Sequence, residues 1–253
     1  MIRGYAGHAM EPFVSRDGRY LFFNNLNDPS VNTDIHYAER IDDLSFRYRG
    51  PVQGINTPAL EGVPTMDRHG NFYFVSTRSY AQTLSTVYRG RFAEGKVSGV
   101  ELVPQLSIRQ PGIVNFDVEA SPDGATLYSV EGRFAGGPVP QSANLFIAAR
   151  RGDGFARAPN SDALLRNINT DALEYAACIS ADGRTLFFTR LVGRSPAIYV
   201  SQRPDPAAAF EKPRHLTAAE GFVEAPALSA DERSLYYHKR DGALFVIYRL
   251  TRR

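Results

Sequence analysis

Short runs of aromatic and β-branched residues alternate with polar turns along the chain, and nowhere does an apolar pattern with period 3.6 persist. Runs such as RYLFFN, NFYFVS and RTLFFT each follow a turn built on Asp-Gly or a relative of it, the signature of a hairpin. Five segments align on a Ser/Thr-x-Asp anchor: EPFVSRDGRYLFFNN, EGVPTMDRHGNFYFVSTR, DVEASPDGATLYSVEGR, EYAACISADGRTLFFTR and EAPALSADERSLYYHKR. The anchors Ser15, Thr65, Ser121, Ser180 and Ser229 are spaced by 50, 56, 59 and 49 residues, so the repeat uses the whole chain of 253. A third strand follows a variable loop in each unit (TDIHYAER, STVYRGRF, ANLFIAAR, PAIYVSQR, ALFVIYRL). A fourth segment begins near Phe46, Val97, Phe155 and Phe210. Short helical turns around Asp162–Arg166 or Pro206–Phe210 are possible and minor.

Four antiparallel strands repeated at this period predict an all-β fold, a five-bladed β-propeller of four-stranded blades filling one domain. The units run over 8–57, 58–113, 114–170, 171–220, and 221–253 with 1–7. The fifth unit ends at its third strand, and MIRGYAG has no partner within its own unit. The expectation is that Ile2–Tyr5 supplies the outer strand of the last blade and leaves no free edge where the chain ends meet.

The pattern acid-x-x-x-(Ser/Thr)-x-Asp-Gly followed by an aromatic strand resembles the TolB-type propeller repeat. The linkers GINTPALEGVPTMD and FEKPRHLTAAEGFVEAPALSAD resemble the segments between blades of that family. Unit three departs through the insertion VEGRFAGGPVPQSA, and unit five has Asp231-Glu232 where the others place a glycine. The resemblance implies a scaffold, often in envelope proteins, that binds other proteins or small ligands, and it implies no single chemistry.

Composition removes several classes. Lys+Arg is 29 against Asp+Glu 27, and a net charge of +2 gives no electrostatic reason to expect nucleic acid. Cys178 is the single cysteine, which excludes an internal disulfide and Cys-rich metal sites, and it is expected to be a buried packing residue. No stretch approaches the roughly 20 apolar residues of a membrane helix. MIRGYAGHAMEPF lacks the apolar core of a signal peptide, so the chain is cytoplasmic as written, or periplasmic if a leader was removed.

Propeller geometry tells which residues share a face. The acids Glu11, Glu61, Asp117, Glu174 and Glu224 would start the inner strands at one channel mouth. The ends of the second strands would bring Asn25, Arg78, Arg133, Arg190 and Arg240 to the same mouth, and Glu119 would point the same way as Asp117. Such a circle can hold neighbouring blades together, or it can line a pocket for a sugar, a charged peptide segment or a metal ion. Long loops decorate units one to three (NNLNDPSVNTD, TRSYAQTLS, EGRFAGGPVPQSA), with Asn32, Tyr80 and Phe134 as wall residues of a groove.

Zincin, P-loop and serine-hydrolase motifs are absent. Calcium could use Asn24, Asn25, Asn27, Asp28, Asn32 and Asp34, an oxygen-rich loop, and a transition metal could use His8 with His238. The enzymatic alternative is glycoside hydrolysis by carboxylates at the mouth. An acid repeated in every unit and the absence of Trp argue instead for a non-catalytic protein. It is expected to bind a protein partner or a small polar ligand such as a saccharide at the acid-lined mouth.

Overall fold

The computed structural model describes residues 2–28 and 31–252. Unit one contains β1 (Ile2–Arg3), β2 (Met10–Val14), β3 (Tyr20–Asn24), β4 (Ile35–Asp42) and β5 (Ser45–Pro51). Unit two contains β6 (Glu61–Met66), β7 (Asn71–Ser76), the short helix α1 (Tyr80–Thr83), β8 (Val87–Ala93) and β9 (Lys96–Leu102). Unit three contains β10 (Ile113–Val114), β11 (Val118–Ala120), β12 (Thr126–Arg133), β13 (Ser142–Arg151), β14 (Gly154–Arg157) and the helical turn α2 (Ser161–Leu164). Unit four contains β15 (Leu173–Ile179), β16 (Thr185–Val192), β17 (Ser195–Gln202) and β18 (Arg214–His215). Unit five has only β19 (Val223–Leu228), β20 (Ser234–Asp241) and β21 (Leu244–Thr251). Apart from β1, the strands paired within each unit run antiparallel, and units three and four are joined in one sheet by a single parallel pair, Ala143 with Leu173.

The Ser-x-Asp anchor makes the first turn of every unit but the second. Ser15 Oγ donates to Asp17 and accepts the N–H of Tyr20, and the same bonds recur at Ser121, Ser180 and Ser229. In unit two the anchor is Asp67 rather than Thr65. Asp67 accepts the N–H groups of His69 and Asn71, so one carboxylate does the work of the Ser-Asp pair.

Apolar residues from adjoining units meet in five seams. Phe22 packs on Phe72 and Phe92 between units one and two, with ring centroids 5.1 and 4.8 Å apart. Tyr73 and Phe155 join units two and three, Tyr128 and Phe188 units three and four, and Cys178 and Val223 units four and five. The fifth seam returns to the start, with Ala227 and Tyr236 of unit five clustered with Leu21 and Phe46 of unit one. The inner strands likewise neighbour one another in the order β2, β6, β11, β15, β19 and back to β2. Cys178 is buried, as its apolar setting predicts, and its Sγ accepts the N–H of Leu228.

The expected pairing of the N-terminal strand is overturned. Strand β1 does not join the last sheet: it runs parallel to β5, with Ile2 opposite Phe46 and Arg3 opposite Arg47. The aromatic surface of unit one draws it there, since the Tyr5 ring lies 4.9 Å from Phe23 and 5.0 Å from Tyr48. Ahead of β2, residues 8–9 make the hydrogen bonds to unit five. Ala9 donates its N–H to the Phe245 carbonyl at 2.9 Å, and Phe245 N–H donates to His8 Nδ1 at 3.2 Å.

Candidate functional site

Four inner strands bulge at a non-glycine residue with left-handed backbone: Glu11 in unit one, Val63 in unit two, Ala176 in unit four and Ala225 in unit five. The bulge turns its N–H out of the ladder, and a side chain from the preceding unit accepts it. Glu11 and Asn24 accept from Val63 at 3.1 and 3.2 Å, Asp117 from Ala176 at 2.9 Å, and Thr189 from Ala225 at 3.1 Å. His238 Nδ1 accepts from Glu11 at 3.0 Å. The bond that ties unit four to unit five therefore recurs in kind between unit five and unit one.

Counted back from the turn anchor, the five acids stand at three different heights: four residues for Glu11 and Asp117, five for Glu224, six for Glu61 and Glu174. The pair farthest from the turn are staples. Both side chains are fully buried. Glu174 accepts the Thr170 N–H at 3.0 Å, the Thr170 hydroxyl at 2.6 Å and Arg190 Nε at 2.7 Å. Glu61 repeats the arrangement with Thr57, Arg78 and the Ser76 hydroxyl. Arg78 and Arg190 also donate to linker carbonyls, of Ile55 and Ile168. The sequence signal for this staple is Asn-Thr-x-Ala-Leu-Glu, present at 56–61 and again at 169–174.

The other acids converge on the axis. Glu11, Asp117 and Glu119 line a narrow central cavity of about 30 Å³, room for about two waters. Glu11 accepts Asn27 Nδ2 at 2.7 Å. Burial pushes its carboxyl up to about 7, with the neighbouring Glu224 charge adding to the rise and His238 opposing it. Burial first, and Glu11 second, hold the Asp117 carboxyl well above its usual range. Glu224 accepts hydrogen bonds from the Tyr175 hydroxyl and from His238 Nε2 at 3.1 Å. Because a backbone N–H occupies His238 Nδ1, the ring hydrogen sits on Nε2. Glu119 lines the same cavity two residues further along, where Arg16 closes over it at 2.8 Å and Thr65 donates at 2.6 Å.

Three half-buried rings lead from the rim to this cluster. Phe134 meets Phe116 edge to face at 6.0 Å, and Phe116 meets Tyr175 at 6.1 Å. Gly132 makes space for them, since a Cβ there would come within 2.5 Å of the Phe116 ring. Sequence reasoning found Phe134 but missed Phe116 and Tyr175, because their place beside the acids depends on the packing of unit three against unit four. Tyr80 ties α1 to unit three, donating to the Ile113 carbonyl and accepting from Gly112 N–H. Arg133 and Arg240 are exposed with no side-chain bond among the described residues, so the guanidinium groups do not form one circle.

Of the loop considered for calcium, Pro29 and Ser30 lie outside the described residues. Asn24, Asn25, Asn27, Asn32 and Asp34 are bonded to one another or to nearby backbone, and Asn27 also donates to Glu11. Among the described residues no three His, Cys, Asp or Glu side chains gather as metal ligands. His8 and His238 each give Nδ1 to a backbone N–H.

No protein-family model matches the sequence, and no curated protein matches it. Solved structures do resemble it. A protein described as TolB from Agrobacterium tumefaciens is 20% identical with a TM-score of 0.51, covering 79% of this chain and 61% of that one. TolB from Acinetobacter baumannii is 16% identical with a TM-score of 0.51, covering 93% and 53%. The chain thus spans less than two thirds of either TolB protein. A thermostable family-43 glycoside hydrolase is 10% identical with a TM-score of 0.59, covering 99% of this chain and 96% of that one. At such identities the likeness is one of fold: this is an all-β chain with a TolB-like β-propeller fold.

Proposed function

We propose that the chain is a closed five-bladed propeller that binds a polar ligand at its acidic mouth without covalent chemistry. The ligand is a saccharide, or a segment of a protein partner that presents hydroxyl or ammonium donors in the same way. Five apolar seams in cyclic order support the blade number. The observation that carries the binding site is the convergence of part-exposed Glu11 and Glu224 beside the half-buried rings of Tyr175, Phe116 and Phe134. Carboxylates have acceptor capacity beyond the two bonds each already makes, and ring faces suit the apolar side of a sugar. Glu61 and Glu174 with Arg78 and Arg190 hold the linkers, Asp117 and Glu119 line the axis, and Asn25, Arg133 and Arg240 stand at the rim.

Glycoside hydrolysis is the second reading, and one observation favours it: the mouth acids have unequal surroundings, with Glu11 raised towards 7 as a general acid must be. Against it, Glu11 and Asp117 are engaged with the backbone of the next unit, and the axial cavity is too narrow for a sugar ring. A panel of neutral saccharides, amino sugars and lysine-bearing peptides, read by thermal shift and calorimetry, tests the proposal. At least one probe should bind saturably and lose at least about tenfold in affinity with Glu224→Gln. Hydrolysis of a chromogenic glycoside, or binding indifferent to Glu224→Gln, would count against it.

A further inference from the structure

A cavity of about 280 Å³ on the outer strands of unit two shares no lining residue with the axial one. Its floor is two rungs of the sheet. In one, Asn71 of β7 stands opposite Arg91 of β8, which stands opposite Ser98 of β9. Tyr73, Arg89 and Glu101 form the next. Residues two apart on a strand share a face, so all six side chains project to one side. A bulge sets Gly99 and Val100 together opposite Gly90, with Gly99 at φ 63°. A Cβ at Gly99 would meet nothing within 4 Å, so the cavity is open there. Arg150 of unit three completes the lining.

Sheet pairing does not call for arginine at 89 and 91. Unit three places Ile147 and Ala149 at those positions, and unit four Val200 and Gln202. Of the three guanidinium groups, that of Arg89 has a carboxylate partner, Glu101, which accepts from it at 2.8 and 2.6 Å. Arg91 is exposed and makes one long bond, 3.5 Å, to the neutral amide oxygen of Asn71. Arg150 donates through Nε and Nη2 to the Gly124 carbonyl and through Nη2 to the Tyr73 hydroxyl at 3.3 Å. Its Nη1 has no partner among the described residues. Asp67 is the other carboxylate close by, and it already accepts three bonds, from His69 N–H and from the backbone and side-chain amides of Asn71.

Tyr73 supplies an independent pointer to a ligand. It is 1% exposed, and its oxygen accepts from Arg150, but its own O–H has no acceptor among the described residues. Burial raises the Tyr73 pKa, with the Arg150 charge opposing, so the hydroxyl keeps its proton and can donate. The cavity therefore joins two guanidinium groups that lack a carboxylate to a buried hydroxyl donor without an acceptor. An anion with two charges and several oxygens satisfies all three. A lone carboxylate, with one charge and two oxygens, leaves part of the donor set unused. The volume is just under the range of small-ligand pockets, about 300–1,000 Å³, and suits a tetrahedral oxyanion with a small organic substituent.

We infer that this cavity binds a phosphoryl group, as inorganic phosphate or on a small phosphate monoester. Arg91 and Arg150 match its charge, about −1.5 to −2 at pH 7, and the Tyr73 and Ser98 hydroxyls donate to its oxygens. Calorimetric titration of the full chain with inorganic phosphate and with methyl phosphate, at low ionic strength, is the test. At least one is expected to bind saturably and one-to-one, and the tighter of the two identifies the source. Arg91→Ala, which removes one long bond from the fold, should weaken binding at least about tenfold, and Arg150→Gln likewise. Tyr73→Phe should weaken it several-fold. Arg194→Ala removes the same charge from the exposed unit-four hairpin and should leave the affinity within about twofold. No saturable binding at up to about 10 mM phosphate, acetate bound as tightly as phosphate, or equal losses from Arg91→Ala and Arg194→Ala would overturn the inference.

Discussion

Replacing Glu174 with alanine is expected to cost about 3–5 kcal/mol of stability, the range for breaking a buried ion pair by removing one partner. The carboxylate is sealed from water and receives three hydrogen bonds, from the Thr170 backbone, the Thr170 hydroxyl and Arg190. Without it the Arg190 guanidinium, only 14% exposed, keeps a linker carbonyl and the faces of Phe188 and Tyr199 but no counter-charge. The linker between units three and four loses its tie at the same time. Glu131→Ala, which breaks a pair with the more exposed Arg157, should change stability by no more than about 1 kcal/mol. Urea midpoints at constant slope measure both. A loss of about 1 kcal/mol or less for Glu174→Ala would mean that the staple does not hold the linker.

Glu11→Gln is expected to stabilise the protein by about 2 kcal/mol at pH 8 and to leave it unchanged near pH 4. In the folded chain burial raises this carboxyl to about 7, so between its ordinary value of 4.5 and 7 the native state binds more protons than the unfolded state. Stability therefore falls as pH rises through that window and stays lower above it. Asp117, raised for the same reason, adds to the trend with the same sign. Glutamine keeps an acceptor for the Val63 N–H and removes the charge. Thermal unfolding of both proteins from pH 4 to pH 8 measures the effect. Parallel curves for wild type and Glu11→Gln across that range would show that Glu11 is not the group responsible.

The repeat was legible because its turn chemistry is local. Ser15, Ser121, Ser180 and Ser229 bond within five residues of themselves, and the aromatic runs that follow need no distant partner to be recognised as strands. Unit two was aligned two residues early, because a carboxylate alone at Asp67 serves the same backbone groups as the Ser-Asp pair. The acids were harder. Glu61 and Glu224 look equivalent in sequence, yet Glu61 stands two residues before the bulge of its strand and Glu224 one, and this gives them unlike partners. A one-residue step along a strand moves a side chain to the other face of the pleat, and the bulge that serves as the reference point is invisible until the strands are paired. The strand Ile2–Arg3 was misplaced for a related reason. Two residues carry almost no pairing preference, and the choice between β5 and β21 rests on aromatic packing by Tyr5.

Amide exchange at Ala9 and Glu11 tests most directly whether the first and last units are fastened to each other. Their N–H groups end on Phe245 and His238 of unit five, so both should be protected to within about tenfold of Val63, Ala176 and Ala225, whose N–H groups cross three of the other four seams. Exchange of Ala9 and Glu11 at the rate of a frayed terminus, with the other three still protected, would contradict a closed ring.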